Sequence, residues 1–88
     1  MKTIKIEKVG ENQSYLDLIK ISLDNPPEKG FDLTELKTRM RVDEAVSKRK
    51  DDVISLEDAD FVTLKKCASA VRWGMRKPEL IKFLELFQ

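Results

Sequence analysis

The residues of this chain that could carry covalent chemistry are few. Cys67 is the one thiol, and histidine is absent. A cysteine nucleophile needs an electropositive, accessible site that favours the thiolate. Lys65 and Lys66 adjoin Cys67 in sequence, but a hydrolytic triad also needs a base, usually an imidazole, and none exists here. Cys67 falls beside the Leu64 and Val71 stripe of a predicted helix and reads as a small core hydrophobe. One Cys and no His fall short of the three or four ligands of a zinc site. The acids Asp51, Asp52, Glu57, Asp58 and Asp60 lack the central glycine that a calcium loop uses. They read instead as capping and dipole-compensating residues at a helix start. With three glycines in all, no phosphate-cradling or dinucleotide pattern forms. The expectation is a non-enzymatic protein with no catalytic residues, no metal and no cofactor.

Non-covalent chemistry is better represented. Over residues 33–48, Leu33, Leu36, Met40, Val42 and Val46 spread across an arc of about 180° at helical spacing. Glu35, Arg39 and Asp43 fall inside that arc, each four residues from the next, which allows a Glu35–Arg39–Asp43 ion-pair ladder. A charge within an apolar face must be paired or must point at a partner. Two readings follow: a partly buried ladder that fixes helix packing, or an Arg39 reserved for an incoming carboxylate or phosphate. The ladder is the expected one. The opposite face carries Lys37, Arg41 and Lys48, a stripe that could track phosphates or simply be solvated. A helix-turn-helix over 33–73 is disfavoured. Its connection is longer than the usual turn, and its recognition helix would aim Glu57, Asp58 and Asp60 at a polyanion.

The C-terminal segment is apolar for its size. Leu80, Ile81, Phe83, Leu84, Leu86 and Phe87 cover more than half of a predicted helix, leaving mainly Glu79, Lys82 and Glu85 polar. One stripe can face the core, and the remainder, from among Ile81, Leu86 and Phe87, is expected to be exposed. Exposed apolar patches mark protein interfaces, and interfaces favour aromatic, Met and Arg side chains. Trp73, Met75 and Arg76 immediately precede this helix. The expected contact set is therefore Trp73, Met75, Arg76, Ile81, Leu86 and Phe87.

The elements that must position these residues follow from local signals. Residues 3–9 alternate as a short strand with Ile4 and Ile6 on one face. Ser14-Tyr15-Leu16-Asp17 has capping-box spacing and opens a helix to about Leu23. A strand over 15–23, forming a hairpin with 3–9, is the alternative. Asp24-Asn25-Pro26-Pro27-Glu28-Lys29-Gly30 breaks the chain as a stiff loop. Asp32 caps the second helix, which runs to Lys48. Residues 52–55 form the strand that pairs with 3–9, since a lone strand leaves its backbone groups unsatisfied. Ser55 then caps a third helix that Gly74 stops, with Phe61, Leu64, Ala68 and Val71 as its core face. Pro78 starts the fourth. The expected fold is α+β: one small domain over 1–88, mostly helical, with about four helices and a two-stranded sheet.

Bulk composition agrees. The chain has 88 residues, 41% of them hydrophobic, with 17 basic against 16 acidic side chains and a net charge of +1. That is apolar enough to fold and too neutral for a dedicated nucleic-acid or polybasic membrane binder. The single thiol suits a reducing, cytoplasmic setting. No run of about 18 apolar residues is present, and the first residues alternate charge with Ile, so neither a membrane span nor a signal peptide is expected.

Pro26-Pro27-Glu28-Lys29-Gly30-Phe31-Asp32-Leu33-Thr34-Glu35-Leu36-Lys37-Thr38-Arg39-Met40-Arg41-Val42, followed by Leu56-Glu57-Asp58-Ala59-Asp60, resembles small uncharacterised proteins of tailed phages and prophages. The resemblance covers roughly residues 14–88 and carries no site residues. It implies a setting, a bacterial host cytoplasm or a virion. It also fits a small accessory or assembly protein that self-associates or docks on a larger one. A nucleic-acid-binding regulator using Lys37, Arg41 and Lys48 is the alternative.

Overall fold

The computed structural model describes residues 1–74 and 76–88. Met75, one of the expected contact residues, lies outside the described residues. The chain folds as β1 (Lys2–Lys5), α1 (Tyr15–Asp24), α2 (Leu33–Ser47), β2 (Val53–Leu56), α3 (Asp58–Ala70) and α4 (Pro78–Glu85). This is the expected α+β architecture, mostly helical with one antiparallel pair of strands.

The sheet is short because β2 is short. Ile4 pairs with Ile54 and Lys5 with Val53. Both isoleucines are fully buried, while Thr3, Lys5, Val53 and Ser55 face outward. Ile6 adds one more backbone bond, to the Asp52 carbonyl at 2.7 Å. The expected strand over 3–9 therefore ends early. Beyond Asp52 the chain turns at Asp51, whose φ of 54° closes the Lys50–Val53 bend, and no partner remains for residues 7–9. Those residues pair instead with the approach to α1: Val9 N–H donates to the Gln13 carbonyl, and Tyr15 N–H to that of Glu7.

Residues 15–24 are a helix, not the alternative strand. Ser14 and Asp17 close the capping box in both directions. Tyr15, Leu18, Ile19, Ser22 and Leu23 are its buried residues, at the helical period. Tyr15 donates its hydroxyl to the Glu7 carboxylate at 3.0 Å. Burial first, then that acceptor, push its pKa up to about 12.

Two boundaries differ from expectation. Ser55 does not cap α3, because it pairs with Thr3 within the sheet. Glu57 takes the cap position without a side-chain bond, and Asp58 and Asp60 supply negative charge to the first turn. Gly74 does not stop α3. The helix ends at Ala70, and Val71 is already extended. The Trp73 indole turns back there and donates to the Ala68 carbonyl at 3.3 Å, satisfying one of the acceptors left at a helix end.

The core closes around aromatic rings. Phe83 stands 5.2 Å from Tyr15, 5.3 Å from Phe87 and 6.4 Å from Trp73, and Phe61 stands 5.3 Å from Phe87. Five of the six aromatic side chains thus belong to one cluster between α1, α3 and α4. Leu18, Leu64, Ile54, Leu56 and Leu80 are among the aliphatic residues of the same core.

Phe87 corrects the expectation of an exposed C-terminal face. It is 4% exposed, because the turn after α4 swings its ring between Phe61 and Phe83. Trp73 is half-buried against the same cluster. Of the large apolar side chains in α4 and the turn after it, only Ile81 and Leu86 are exposed. At about 100° per residue they point roughly 140° apart, so they do not make a common stripe.

Candidate docking surface

Phe31 and the first half of α2 carry four of the ten exposed large apolar side chains among the described residues. Phe31 is 36% exposed, Leu33 68%, Leu36 43% and Met40 69%. On a helix Leu33, Leu36 and Met40 lie within about 60° of arc. The inward face of the same helix carries Glu35, Thr38 and Arg39 in its first half, and Val42, Ala45 and Val46 in its second. The first half of α2 is thus inverted, with polar side chains inward and aliphatic ones outward.

Arg39 causes the inversion. Its side chain is 12% exposed. Nη1 donates to the carbonyls of Asn25 at 2.6 Å, Leu23 at 3.0 Å and Ser22 at 3.4 Å. Nη1 has two hydrogens, so one is shared, as is common at helix termini. Nε donates to Glu35 Oε2 at 3.2 Å. The guanidinium also lies 4.8 Å from the Phe31 ring centroid, within cation–π range. The need for this clamp is written just after α1. The last carbonyls of a helix lack intrahelical donors, and following N–H groups usually satisfy some of them. Pro26 and Pro27 have no N–H to give. Arg39 supplies the missing donors, and its positive charge suits the negative end of α1.

The expected ladder is therefore half right. Arg39 pairs with Glu35, but Asp43 takes no part: among the described residues it has no ion-pair partner. Backbone carbonyls, which carry no signature in side-chain spacing, replace it. A signal was nevertheless present, in the two prolines that leave α1 without N–H successors.

Between α1 and α2 the inversion opens a groove of about 380 Å³, lined by Lys20, Leu23, Asp24, Phe31, Leu36, Arg39, Met40 and Asp43. Lys20 and Asp24 edge it on the α1 side, and Asp43 on the α2 side. A second cleft, of about 500 Å³, lies at the C-terminal end. Trp73, Leu84 and Phe87 line it together with Val71, Ala68 and Lys65. Here the structure brings Trp73 and Phe87 together, but by ring edges already engaged in the core. Arg76 is exposed and does not line this cleft.

The basic stripe is largely spent within the chain. Arg41 Nε donates to Asp60 Oδ1 at 2.7 Å, where Asp60 is buried. Lys48 pairs with Glu44 at 2.9 Å on the same helix. Lys37 is exposed and has no ion-pair partner among the described residues. Cys67 is buried, and burial is the main cause that pushes its thiol up, so the protonated form is favoured. Among the described residues no three His, Cys, Asp or Glu side chains converge, and no helix is long and apolar enough to cross a membrane.

No family model matches the chain, and neither a curated protein nor a solved structure matches it.

Proposed function

We propose that this chain is a non-enzymatic protein-docking module that binds a protein through the outward face of the first half of α2. The observation that carries this reading is the inversion: Leu33, Leu36 and Met40 stand in solvent beside an Arg39 turned into the protein. Leu36 and Met40 line the groove and Leu33 shares their arc of the helix, and such an exposed apolar cluster is characteristic of an interaction surface. Among the described residues, the C-terminal segment that composition favours contributes only Ile81 and Leu86 as exposed large apolar positions, and these stand apart. The nucleic-acid alternative is less well supported, because carboxylates within the chain engage Arg41 and Lys48. The resemblance to small tailed-phage and prophage proteins adds the setting: an accessory or assembly factor in a bacterial host cytoplasm or a virion.

The test places a photo-reactive side chain at position 40, and at Ser69 as control, in cells producing the full chain. A dominant protein adduct from position 40, absent from position 69, is expected. Nucleic-acid adducts alone, or none, would overturn the proposal. A companion gel shift with duplex DNA and single-stranded RNA should show no tight complex at about 50 mM salt that disappears at about 300 mM.

A further inference from the structure

We infer that the protein seated on the α2 face is a second copy of this chain, arranged about a two-fold axis with Lys20 of each copy against Asp43 of the other. This rests on the docking reading above and adds the identity of the partner.

The rim charges carry the inference. Lys20 stands on the α1 side of the groove and Asp43 on the α2 side. Neither has an ion-pair partner among the described residues, and both are exposed. Pairing paired surfaces by a two-fold operation presents the same patch on both sides, so the patch must complement itself. An axis running along the groove keeps each residue at its level and exchanges the two rims. The α1 rim of one copy then meets the α2 rim of the other, and Lys20 meets Asp43 twice. Asp24, one turn beyond Lys20, moves toward the Arg39 end of the opposing groove. Arg39 Nη2 makes no hydrogen bond there among the described residues. A different partner of one dominant sign would meet a like charge on one rim or the other.

Size and net charge agree. Phe31, Leu33, Leu36 and Met40 together expose the equivalent of about two large apolar side chains, on the order of 400 Å². A stable interface covers ~800 Å² on each partner, somewhat over half of it apolar. The patch supplies that apolar share, and the charged rim the rest. A net charge of +1 leaves little repulsion between copies.

The test is solution mass across about 10 µM to 1 mM of the full chain, by light scattering and sedimentation. A species of twice 10.2 kDa is expected at the upper end. Met40→Glu should give a monomer with an unchanged Tm, and Leu33→Glu provides a second variant should the first fail to fold. Lys20→Glu and Asp43→Lys should each weaken the dimer by about tenfold or more, since each sets like charges face to face at two places. Mixing those two variants in equal amounts restores both opposite-charge pairs and should restore the dimer. A native chain that stays monomeric throughout, a dimer indifferent to Met40→Glu, or a mixture that fails to re-associate would each overturn the inference. The two proposals fail separately. A monomer whose position 40 still links to some other protein removes only self-association. A position 40 that links to no protein removes both.

Discussion

Two parts of this molecule gather large apolar side chains and treat them in opposite ways. Around α4, Tyr15, Phe61, Trp73, Phe83 and Phe87 close on one another, with Tyr15, Phe83 and Phe87 buried and Phe61 and Trp73 half-buried. Just before α2 and in its first half, Phe31 lies over Arg39 while Leu33, Leu36 and Met40 point outward, and all four are exposed. The difference is a polar obligation. Trp73 satisfies the one described acceptor it reaches, the Ala68 carbonyl, with the edge of a ring that still packs. The end of α1 offers several carbonyls and two prolines that cannot serve them. A buried acceptor left without a donor costs about 1–3 kcal/mol. Leaving a large aliphatic side chain exposed forgoes a similar amount, about 1.5–3 kcal/mol. Two or three carbonyls against three partly exposed side chains make sums of the same size, and the Glu35 pairing and the Phe31 ring contact add to the side of an inward Arg39. Helix geometry then sends Leu33, Leu36 and Met40 outward.

The comparison breaks first at Phe83, which touches three of the other rings. Phe83→Ala is expected to cost about 3–5 kcal/mol. For a chain this short that is much of the total stability, so Tm should fall by about 15 °C or more, or the protein should not fold. A thermal melt showing a loss below about 1 kcal/mol would mean that the aromatic cluster is not the core. The next effect belongs to Arg39. Arg39→Met removes the donors from three carbonyls and the counter-charge from Glu35, and should cost about 2–4 kcal/mol by urea denaturation. Arg39→Lys should recover only part of this, since an ammonium cannot span Glu35 and the α1 carbonyls as a planar fork does. Equal stability of the Met variant and the native chain would leave the inversion of α2 without its cause.

How much of this was legible in the sequence follows the same division. Elements fixed by contiguous signals were readable: the Ser14–Asp17 capping box, the Asp32 cap, Pro78 at the first turn of α4, and the alternation around Ile4 and Ile54. Boundaries set by tertiary partners were not. Ser55 has the residue type of a cap but pairs with Thr3, and Gly74 has that of a stop but α3 ends four residues before it. Composition points to the C-terminal segment, of which Phe87 is turned into the core. Periodicity alone finds Leu33, Leu36 and Met40 on the same arc as Val42 and Val46, and cannot tell which edge of that arc faces the core. Phe87 lies beyond the last helical turn, so its direction depends on a bend that periodicity does not describe.

The smallest expected effect separates the two regions as docking surfaces. Leu86 is 42% exposed at the end of α4, and its backbone N–H donates to the Phe83 carbonyl whatever its side chain. A lysine there can lay its stem along the apolar surface with its charge in water, next to the negative end of the helix. Leu86→Lys should therefore shift stability by no more than about 0.5 kcal/mol, and the concentration dependence of the solution mass should match that of the native chain. Met40→Glu makes a comparably exposed change on α2 and should abolish association. If instead Leu86→Lys dissociates the protein while Met40→Glu does not, the contact surface belongs to the C-terminal helix, as composition alone suggests. The outward side chains of α2 would then be only the residue of having turned Arg39 toward α1.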